Sequence, residues 1–397
     1  MSKTPNLRFK EFSGDYKKTQ FSDCVSIKNG QVNPCIEPYC DMPHIGPGNM
    51  EKFTGRLLDV RTAKEDGQMS GKYLFDKDDI LYGKINPQFG KVVFPKYEGL
   101  CSADTYPLKA LKGMVSGYLF YSLQTSRFLK YSISVSMRTG MPKINREELS
   151  LYNFNLPKTE EQEKIASFFS LIDDKICLQS EKVEVLKDYK TGMMQKIFSR
   201  ELRFKDDDGR DYPEWEEKKL DDLIKIKSNR NKNSVVELVL SVSNTKGFIT
   251  QSEQFEDRIV ASSDISNYKI VEKDDFAFNP ARINVGSIAR LKLYDKGIIS
   301  PMYICFKCLN SLESDYLEYF LMTHSFDVQM KKKLEGSVRQ TLSSEALGEI
   351  VIDLPCLNEQ KKIGEYLSTI NDKLVKEQEK LDYLNEYKKG LLQQMFV

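Results

Sequence analysis

The chain contains one long helical segment twice. Residues 156–199 and 354–397 align without a gap at an offset of 198 residues, and 18 of these 44 positions are identical. The full sequence has 397 residues, almost two such units. Solenoid repeats have periods of about 20–50 residues, so this longer period indicates tandem duplication of a domain plus a helix. Such a chain can fold with an internal pseudo-two-fold relation.

A chain of this length fits two domains of about 150 residues plus connecting elements. With 40% hydrophobic and 11% aromatic residues, it is globular rather than disordered. We predict domains at residues 1–158 and 200–356, followed by helical spacers at 159–199 and 357–397. Weaker matches carry the repeat into the domains, as in LRFK at 7–10 and 202–205 and KDD at 77–79 and 273–275.

The domains show mixed α/β patterning. Short β-rich runs at 91–94, 287–291 and 302–306 lie between Gly, Pro and Asn turns. Residues 118–129 and 316–330 space their apolar residues by three and four, which predicts one helix in each segment. The expected fold class is α/β (α+β), with two tandem domains separated by two long helices.

The repeated segments carry apolar residues at alternating steps of four and three, the pattern of a coiled-coil seam. The first seam comprises Ile165, Phe169, Ile172, Ile176, Gln179, Val183, Leu186, Lys190, Met193 and Ile197. The second comprises Ile363, Leu367, Ile370, Leu374, Glu377, Leu381, Leu384, Lys388, Leu391 and Met395. Both seams are interrupted by polar residues at matching places, which typically fixes register and partner choice.

We expect the two helices to form an antiparallel coiled coil. This pairing would bring Lys190 toward Glu377 and Gln179 toward Lys388, unless these long side chains extend to the surface. A helix of about 40 residues is about 60 Å long, which makes the pair a spacer on the scale of one or more DNA turns. Thr159 with Gln162 predicts a capping box at the first helix, and Asn358 with Lys361 an incomplete one at the second.

Several functional classes are excluded by the composition. No apolar run approaches the about 18 residues needed to span a membrane, and the N-terminus lacks a signal peptide's apolar region, so we expect a cytoplasmic protein. The eight cysteines are then expected to be reduced. Cys305 and Cys308 have CxxC spacing without a second pair or a nearby His, and His44 and His324 are expected to be structural, so we predict no metal site.

No complete catalytic motif is present. Residues 86–89 (NPQF) and 279–282 (NPAR) resemble the Asn-Pro-Pro-aromatic motif of adenine methylases, but both lack the second Pro. Residues 12–16 (FSGDY) lack the second Gly of a cofactor loop, and no P-loop occurs. We expect no catalytic residues and no cofactor in this chain.

The layout resembles the specificity subunit of type I restriction–modification enzymes over essentially its full length. Leu156 and Pro157 precede EQEKIA at 161–166, and Leu354 and Pro355 precede EQKKIG at 359–364. Both copies add Asp-Lys (174–175, 372–373) and Lys-x-Gly (190–192, 388–390). Residues 212–215 (YPEW) followed by 218–220 (KKL) match the usual opening of a target-recognition domain, whereas the first copy, DYKK at 15–18, lacks the Trp.

The resemblance implies a DNA-binding subunit without chemistry of its own. Each recognition domain would bind one half of a split, asymmetric double-stranded DNA target. The helices would set the gap between the halves and dock two methylase subunits, which bind S-adenosylmethionine and modify adenine. A further restriction and translocase subunit would use ATP, with Mg also expected in the partner subunits.

Polar loops after the first β-rich run of each domain are the best candidates for DNA contacts, because Arg, Lys, Asn and Gln bind base edges and phosphates. In the first domain the candidates are Lys28, Asn29, Gln31, Asn33, Lys84, Asn86, Arg138 and Lys143. In the second they are Lys227, Asn229, Arg230, Lys232, Asn244, Lys246, Arg282, Asn284, Arg339 and Gln340. Residues that are alike in the two copies are better suited to phosphate contacts or to structural roles. Two different half-sites need different base-contacting side chains.

The alternative is a coiled-coil adaptor for other proteins that binds no DNA. The formal net charge is only +1, from 59 basic and 58 acidic residues, whereas nucleic-acid binders are often more basic. Local patches decide binding, so the near-neutral charge leaves both hypotheses open.

Overall fold

The computed structural model describes residues 4–137, 140–232, 234–250, 264–336 and 340–397. The chain forms two compact units. The first unit comprises Met1–Glu181 and Gln378–Val397, and the second comprises Lys182–Glu377. Each long helix therefore contributes one part to each unit.

The first unit is a mixed α/β structure. Its helices are α1 (Phe21–Cys24), α2 (Ser116–Ser122), α3 (Ser126–Ser136), α4 (Arg146–Ser150) and the first part of α5 (Thr159–Phe198). Its strands are β1 (Lys17–Gln20), β2 (Val25–Ile27), β3 (Gln31–Val32), β4 (Pro43–Ile45), β5 (Arg61–Thr62), β6 (Lys72–Phe75), β7 (Ile80–Gly83), β8 (Val92–Val93), β9 (Gly99–Cys101), β10 (Thr105–Ala110) and β11 (Asn153–Leu156). Three sheets result, in the orders β1-β11, β2-β10-β7-β8 and β3-β6-β9-β4-β5.

The second unit contains the rest of α5 and the elements that follow it. Its strands are β12 (Glu216–Lys219), β13 (Ile224–Lys227), β14 (Val239–Ser243), β15 (Gly247–Thr250), β16 (Lys269–Glu272), β17 (Phe276–Phe278), β18 (Ile288–Arg290), β19 (Lys296–Ile299), β20 (Ile304–Cys308) and β21 (Val351–Leu354). Its helices include α6 (Ser314–Phe320), α7 (His324–Lys332), α8 (Ser344–Gly348) and the first part of α9 (Leu357–Met395).

The described sheets of the second unit repeat the topology of the first. Their orders are β12-β21, β13-β20-β17-β18 and β15-β14-β19-β16. The parallel pair β14 and β19 corresponds to the parallel pair β4 and β9, and the neighbouring strands pair antiparallel in both units. The duplication inferred from the helices therefore includes the whole domain.

The helix predicted over 118–129 is interrupted, and so is its counterpart over 316–330. In the first unit α2 ends at Ser122 and α3 begins at Ser126, because the Thr125 side chain accepts a hydrogen bond from the Phe128 amide and caps a new helix. Thr323 caps α7 in the same way through Phe326. A threonine N-cap accepts a hydrogen bond from an otherwise unpaired amide at the start of a helix. This stabilisation favours two short helices, although the apolar spacing predicted one continuous helix.

The coiled-coil seam is confirmed within each unit. Ile165 and Phe169 of α5 share the main core of the first unit with Leu391 and Met395 of α9. The rings of Phe169 and Phe396 lie 5.9 Å apart, so the start of one helix packs against the end of the other. In the second unit Ile197 and Ile363 occupy the equivalent core. The pairing is antiparallel in both units.

The pairing of polar seam residues differs from the expectation. Lys190 donates a hydrogen bond to Asn371 at 2.8 Å, and Glu377 pairs with Lys182 at 2.5 Å. Burial lowers the pKa of Lys190, whose hydrogen-bond partner is uncharged. Lys388 pairs with Asp173 at 2.7 Å. The expected Lys190–Glu377 pair is therefore wrong, because the partner of Lys190 lies about two helical turns earlier on α9 than Glu377 does.

The capping box predicted at Thr159 does not form. Helix α5 begins at Thr159 itself, and the amides of Glu161 and Gln162 bond to the carbonyl of Lys158. The Gln162 side chain instead accepts from the Val115 amide at 2.9 Å and donates to the carbonyls of Gly113 and Pro157.

The second copy uses its glutamine in the same way. Gln360 accepts from the Glu313 amide at 2.8 Å and donates to the carbonyls of Ser311 and Pro355. Helix α9 begins at Leu357, so Asn358 lies inside the helix rather than capping it. Each repeated glutamine thus joins its helix to the loop before α2 or α6.

The repeated glutamate holds the segment that leads into each domain. Glu161 is buried, and it accepts hydrogen bonds from Arg8 at 2.8 Å and from the Tyr16 hydroxyl at 2.9 Å. Glu359 accepts from Arg203 and from the Trp215 indole in the same arrangement. Tyr16 therefore takes the place of the Trp that the first copy lacks, and Arg8 and Arg203 explain the repeated LRFK.

The two ends of the described chain meet in the first unit. The Leu7 amide donates to the Gln394 carbonyl at 3.0 Å, and the Phe396 ring lies 5.0 Å from that of Tyr118. Between the repeats, the Leu202 amide donates to the Lys196 carbonyl at the same distance. The Phe198 ring likewise packs on Tyr316, at 5.4 Å.

Candidate nucleic-acid interface

Three candidate residues of the first unit meet where two loops run side by side. Ile85 forms a β-bridge with Lys143, the Asn86 amide donates to Pro142, and the Ile144 amide donates to Lys84. Lys84 and Asn86 are half-buried and Lys143 is exposed. Asn86 adopts a left-handed φ of 49°, which turns the chain into the 3₁₀ turn Pro87–Phe89. These three side chains form the first loop cluster.

A second loop cluster lies at the equivalent place in the second unit. The Leu342 amide donates to the Pro280 carbonyl at 3.1 Å, which brings the Gln340 segment against the loop of Arg282 and Asn284. All three of these candidate side chains are exposed. The hairpin turn between β14 and β15, with exposed Asn244 and Lys246, adjoins them, since a Cβ built on Gly286 would lie 3.3 Å from the Asn244 carbonyl.

Lys28 and Lys227 hold structural ion pairs. Lys227 pairs with Asp275 at 2.5 Å and with Glu272 at 2.8 Å, and its side chain is 11% exposed. Burial lowers the pKa of Lys227, but hydrogen bonds from its ammonium group to these carboxylates outweigh burial and raise it overall. Lys28 pairs in the same way with Asp79 and Asp76. The last Asp of each repeated KDD, Asp79 or Asp275, binds this lysine, so the structural role fits both residues.

The remaining candidates lie near two sheet edges, β3 in the first unit and β16 in the second. Gln31 is on β3, and Asn33 accepts a hydrogen bond from the Cys35 amide in a tight turn. Arg230 bridges to Lys269 and donates to Asn267 at 3.3 Å. Asn29, Asn229 and Lys232 are exposed beside them. Arg138 and Arg339 lie outside the described residues, and DNA contact by the whole set stays a prediction.

Sequence reasoning missed two basic residues beside the first loop cluster. Lys91 donates to the Pro47 carbonyl, and burial together with the neighbouring Lys52 lowers its pKa. The Lys52 ammonium group lies 4.1 Å from the centre of the Phe89 ring. The neighbouring positive charges of Lys52 and Lys91 favour an anionic partner such as a phosphate. Their only signal was position, because Ser287 takes the place of Lys91 in the second copy: its carbonyl accepts from the Asn279 amide as that of Lys91 accepts from the Gly83 amide.

Cys305 and Cys308 face opposite sides of β20. Cys305 belongs to the small core of the second unit, whereas Cys308 packs against its main core. Burial raises the pKa of Cys305 to about 12 and that of Cys308 to about 11. Their CxxC spacing therefore reflects two packing positions on a strand.

The described residues form neither a metal site nor a membrane span. No group of three or more His, Cys, Asp or Glu side chains in these ranges is arranged to hold a metal ion. Within the same part of the chain, no helix combines the length and apolar character that a membrane span requires.

Comparisons with known proteins agree with the two-unit structure. The family model of the type I restriction modification DNA specificity domain matches twice, at residues 14–188 and 212–385. The EcoDI specificity subunit of Escherichia coli is 34% identical over 160 residues, which are 40% of this chain and only 35% of that relative. The MjaVIII specificity subunit of Methanocaldococcus jannaschii is 26% identical over 97% of this chain and 94% of its own.

Solved structures support the fold. The type I restriction-modification S subunit from M. genitalium superposes with a TM-score of 0.62, at 16% identity over 99% of both chains. A chain from a structural study of type I R-M complex assembly and conformational transition gives 0.53 at 14% identity, over 95% of this chain and 96% of its own. With both halves matched by the family model, this chain belongs to the type I restriction-modification specificity family and is a specificity subunit.

Proposed function

We propose that this subunit binds a bipartite, asymmetric DNA target, one half-site per recognition domain. The observation that carries this proposal is the pair of loop clusters. They occupy the same topological position in the two units, because Lys84 accepts from the Ile144 amide as Pro280 accepts from the Leu342 amide. In this register Pro280 takes the place of Lys84 and Arg282 that of Asn86, so the two clusters present different side chains. Two loops that are equivalent in structure but carry different side chains suit two different half-sites. The identity of a base is recognised by hydrogen bonds from particular side chains.

The long helices act as the spacer between the half-sites. Their antiparallel pairing in each unit leaves Glu181 and Gln378 at the points where each helix passes from one unit to the other. One extra heptad in each helix at these points adds about 10.5 Å. We expect the gap in the target to grow by about three base pairs, at 3.4 Å each, while both half-sites keep their sequence. An unchanged gap in mapped methylation sites would refute the spacer role.

The subunit docks two methylase subunits, one on each repeat of the long helices. Gly192 and Gly390 recur at matched positions, although glycine costs about 1 kcal/mol in a helix interior. A Cβ at either position would meet nothing within 4 Å. Tyr189 and Tyr387 lie one turn before them and are 49% and 47% exposed. A glycine that internal packing does not require suits close approach of a partner's backbone.

Gly192→Ala and Gly390→Ala test this docking surface. Each change stabilises an isolated helix by about 1 kcal/mol, so the free subunit should unfold at a higher temperature. Binding of the methylase subunit should nevertheless weaken, as measured by titration of the purified subunits. Leu171→Ala, at a side chain 69% exposed on α5, is a control for general surface changes. Unweakened binding by both glycine variants would remove this surface from the interface.

The chemistry belongs to the partner subunits. We propose that S-adenosylmethionine binds the methylase subunits and that ATP and Mg act in a restriction and translocase subunit. Support comes from the incomplete methylase motifs at 86–89 and 279–282 in this chain. Because its target is DNA, we expect it to act in the cytoplasm. Equilibrium binding of S-adenosylmethionine to the isolated chain and to the assembled complex tests this division.

Mapping of methylated adenines in cells that express the complex tests the whole proposal. The expected result is one motif of two unlike halves separated by a fixed gap. The comparisons bring no support for the adaptor that binds no DNA. A specific complex also predicts binding that weakens steeply with salt, because released counterions contribute a slope of about −0.9 for each phosphate contacted. Salt-independent retention of DNA would contradict the proposal.

A further inference from the structure

The loop at residues 51–56 of the first unit is closed by its own hydrogen bonds. The Glu51 amide donates to the Arg56 carbonyl at 3.0 Å, and the Thr54 hydroxyl donates to the Glu51 carboxylate at 2.7 Å. Met50 and Leu57 form a β-bridge at the base of the loop. These bonds hold the loop together, so contacts at its tip restrain the whole loop.

Lys388 of α9 holds that tip. Its ammonium group donates to the Thr54 carbonyl at 3.3 Å and to Gln124 at 3.1 Å, and it pairs with Asp173 of α5 at 2.7 Å. The lysine side chain is only 8% exposed. The other oxygen of Asp173 accepts the Tyr121 hydroxyl at 2.8 Å. The buried ammonium group of Lys388 therefore joins the Thr54 carbonyl of the loop to Asp173 on the helix pair, through hydrogen bonds that its charge strengthens.

Gly55 allows this close approach. It has a left-handed φ of 81°, and a Cβ built on it would lie 2.7 Å from the Phe120 ring. Arg56 adds a contact to the helices, since it donates to the Ser180 hydroxyl at 3.4 Å. A side chain at position 55 would have to lift the loop from α2, so the contact depends on glycine.

The opposite side of the same loop contacts the turn that follows Asn86 of the first loop cluster. A Cβ built on Gly90 would lie 2.9 Å from the Phe53 ring, so these two residues are in direct contact. The Lys52 ammonium group lies on the Phe89 ring. Both contacts fall on the turn that begins at Asn86. Packed contacts therefore run from the ammonium group of Lys388 to the turn that follows Asn86, a residue proposed to bind DNA.

We propose that Lys388 is a positioning residue for the first half-site, because it fixes loop 51–56 and through it the first loop cluster. This inference rests on the proposed function, since it assumes that the cluster contacts DNA. A recognition group must be held within about 0.5 Å of its productive geometry, and the buried lysine supplies that restraint from the helix that serves as spacer. Recognition of the other half-site does not depend on it.

The test compares three variants in the assembled methylase complex. Asp173→Asn with Lys388→Met removes both charges of the buried pair and the bond to Thr54, without leaving an unpaired carboxylate. Gly55→Val displaces the loop but keeps the Lys388–Asp173 pair. Lys389→Met is the control, because its side chain is 65% exposed and pairs with Glu386, one turn earlier on the same helix.

Methylated motifs are mapped for each variant, and thermal unfolding of each is recorded. We expect the first two variants to lose about tenfold in discrimination in the same half of the motif, with the other half and the gap unchanged. Wild-type discrimination in both halves would overturn the inference, and so would equal losses in both. If the wild-type complex itself gives no bipartite motif, the proposed function fails, and this inference fails with it.

Discussion

Arg203 donates two hydrogen bonds to the carboxylate of Glu359, from Nε at 3.3 Å and from Nη2 at 3.1 Å. The carboxylate is fully buried, and the Trp215 indole donates a third bond at 2.9 Å. The first helical turn of α9 is thereby joined to the segment that leads into the second domain. This arrangement stabilises the helix start and the domain together.

Glu359→Gln should destabilise the second unit by about 3 kcal/mol, because Arg203 loses its buried counter-ion and keeps the pair with exposed Glu214. Trp215 is the only tryptophan, so its fluorescence reports unfolding of this unit directly. Glu365→Gln, at an exposed position of the same helix, should leave the transition unchanged. If the two variants unfolded at the same midpoint, a stabilising role for the Arg203–Glu359 pair would be contradicted.

Arg282→Ala and Lys227→Met should separate DNA contact from structural support. Loss of one phosphate contact by exposed Arg282 should lower the slope of log K against log salt by about 1, with stability unchanged. Lys227→Met should instead lower stability by about 3 kcal/mol, since it leaves Asp275 buried without its partner. DNA titrations at several salt concentrations and urea unfolding distinguish the two effects. A change of slope for Lys227→Met alone would reverse the assignment.

Gly117→Ala should be rescued by Ala166→Gly. A Cβ on Gly117 would lie 2.9 Å from that of Ala166, so the added methyl group should cost about 1–3 kcal/mol. Removing the Ala166 methyl group frees the space, so the double variant should approach wild-type stability. In the second unit the glycine is on the long helix instead, where Gly364 of α9 lies against Asp315 of α6. Additive losses in a double-mutant cycle would exclude this direct contact.

The first unit should lose stability in mild acid through His44. Burial lowers the pKa of His44 against the opposing hydrogen bond with Asp66. The unfolded state therefore binds the proton more readily, and stability present above about pH 6.5 is lost as pH falls below that value. His44→Asn, which can keep the bond to Asp66, should flatten the dependence of the melting temperature between pH 7.5 and 5.5. Parallel curves for the two proteins would show that His44 does not contribute.

The repeat, the seam and the α/β class could be predicted because their signals are local or periodic. Heptad spacing alone placed Ile165 and Ile363 in the cores of their units. The comparisons confirm the family that the repeated EQ motif indicated. The roles of Glu161 and Gln162 could not be predicted in this way, because their partners Arg8 and Val115 are far away in sequence.

The candidate interface was predictable only in part. Loop position and residue type identified Asn86 and Lys143, and the structure brings them together. The same reasoning selected Lys227 as a DNA-contact candidate, because the sequence does not show that its ammonium group forms an ion pair with Asp275. Lys91 was missed because the second copy has no basic residue at the matching position.

The hydrogen bond from Leu7 to Gln394 has a consequence for the order of the repeats. Because Leu202 and Lys196 make the same bond, each domain receives a long helix through an equivalent backbone contact. Packing within a unit therefore does not depend on the order of the two repeats. We expect a variant that is opened between the repeats, with residue 397 joined to residue 1 by a linker, to form the same two units.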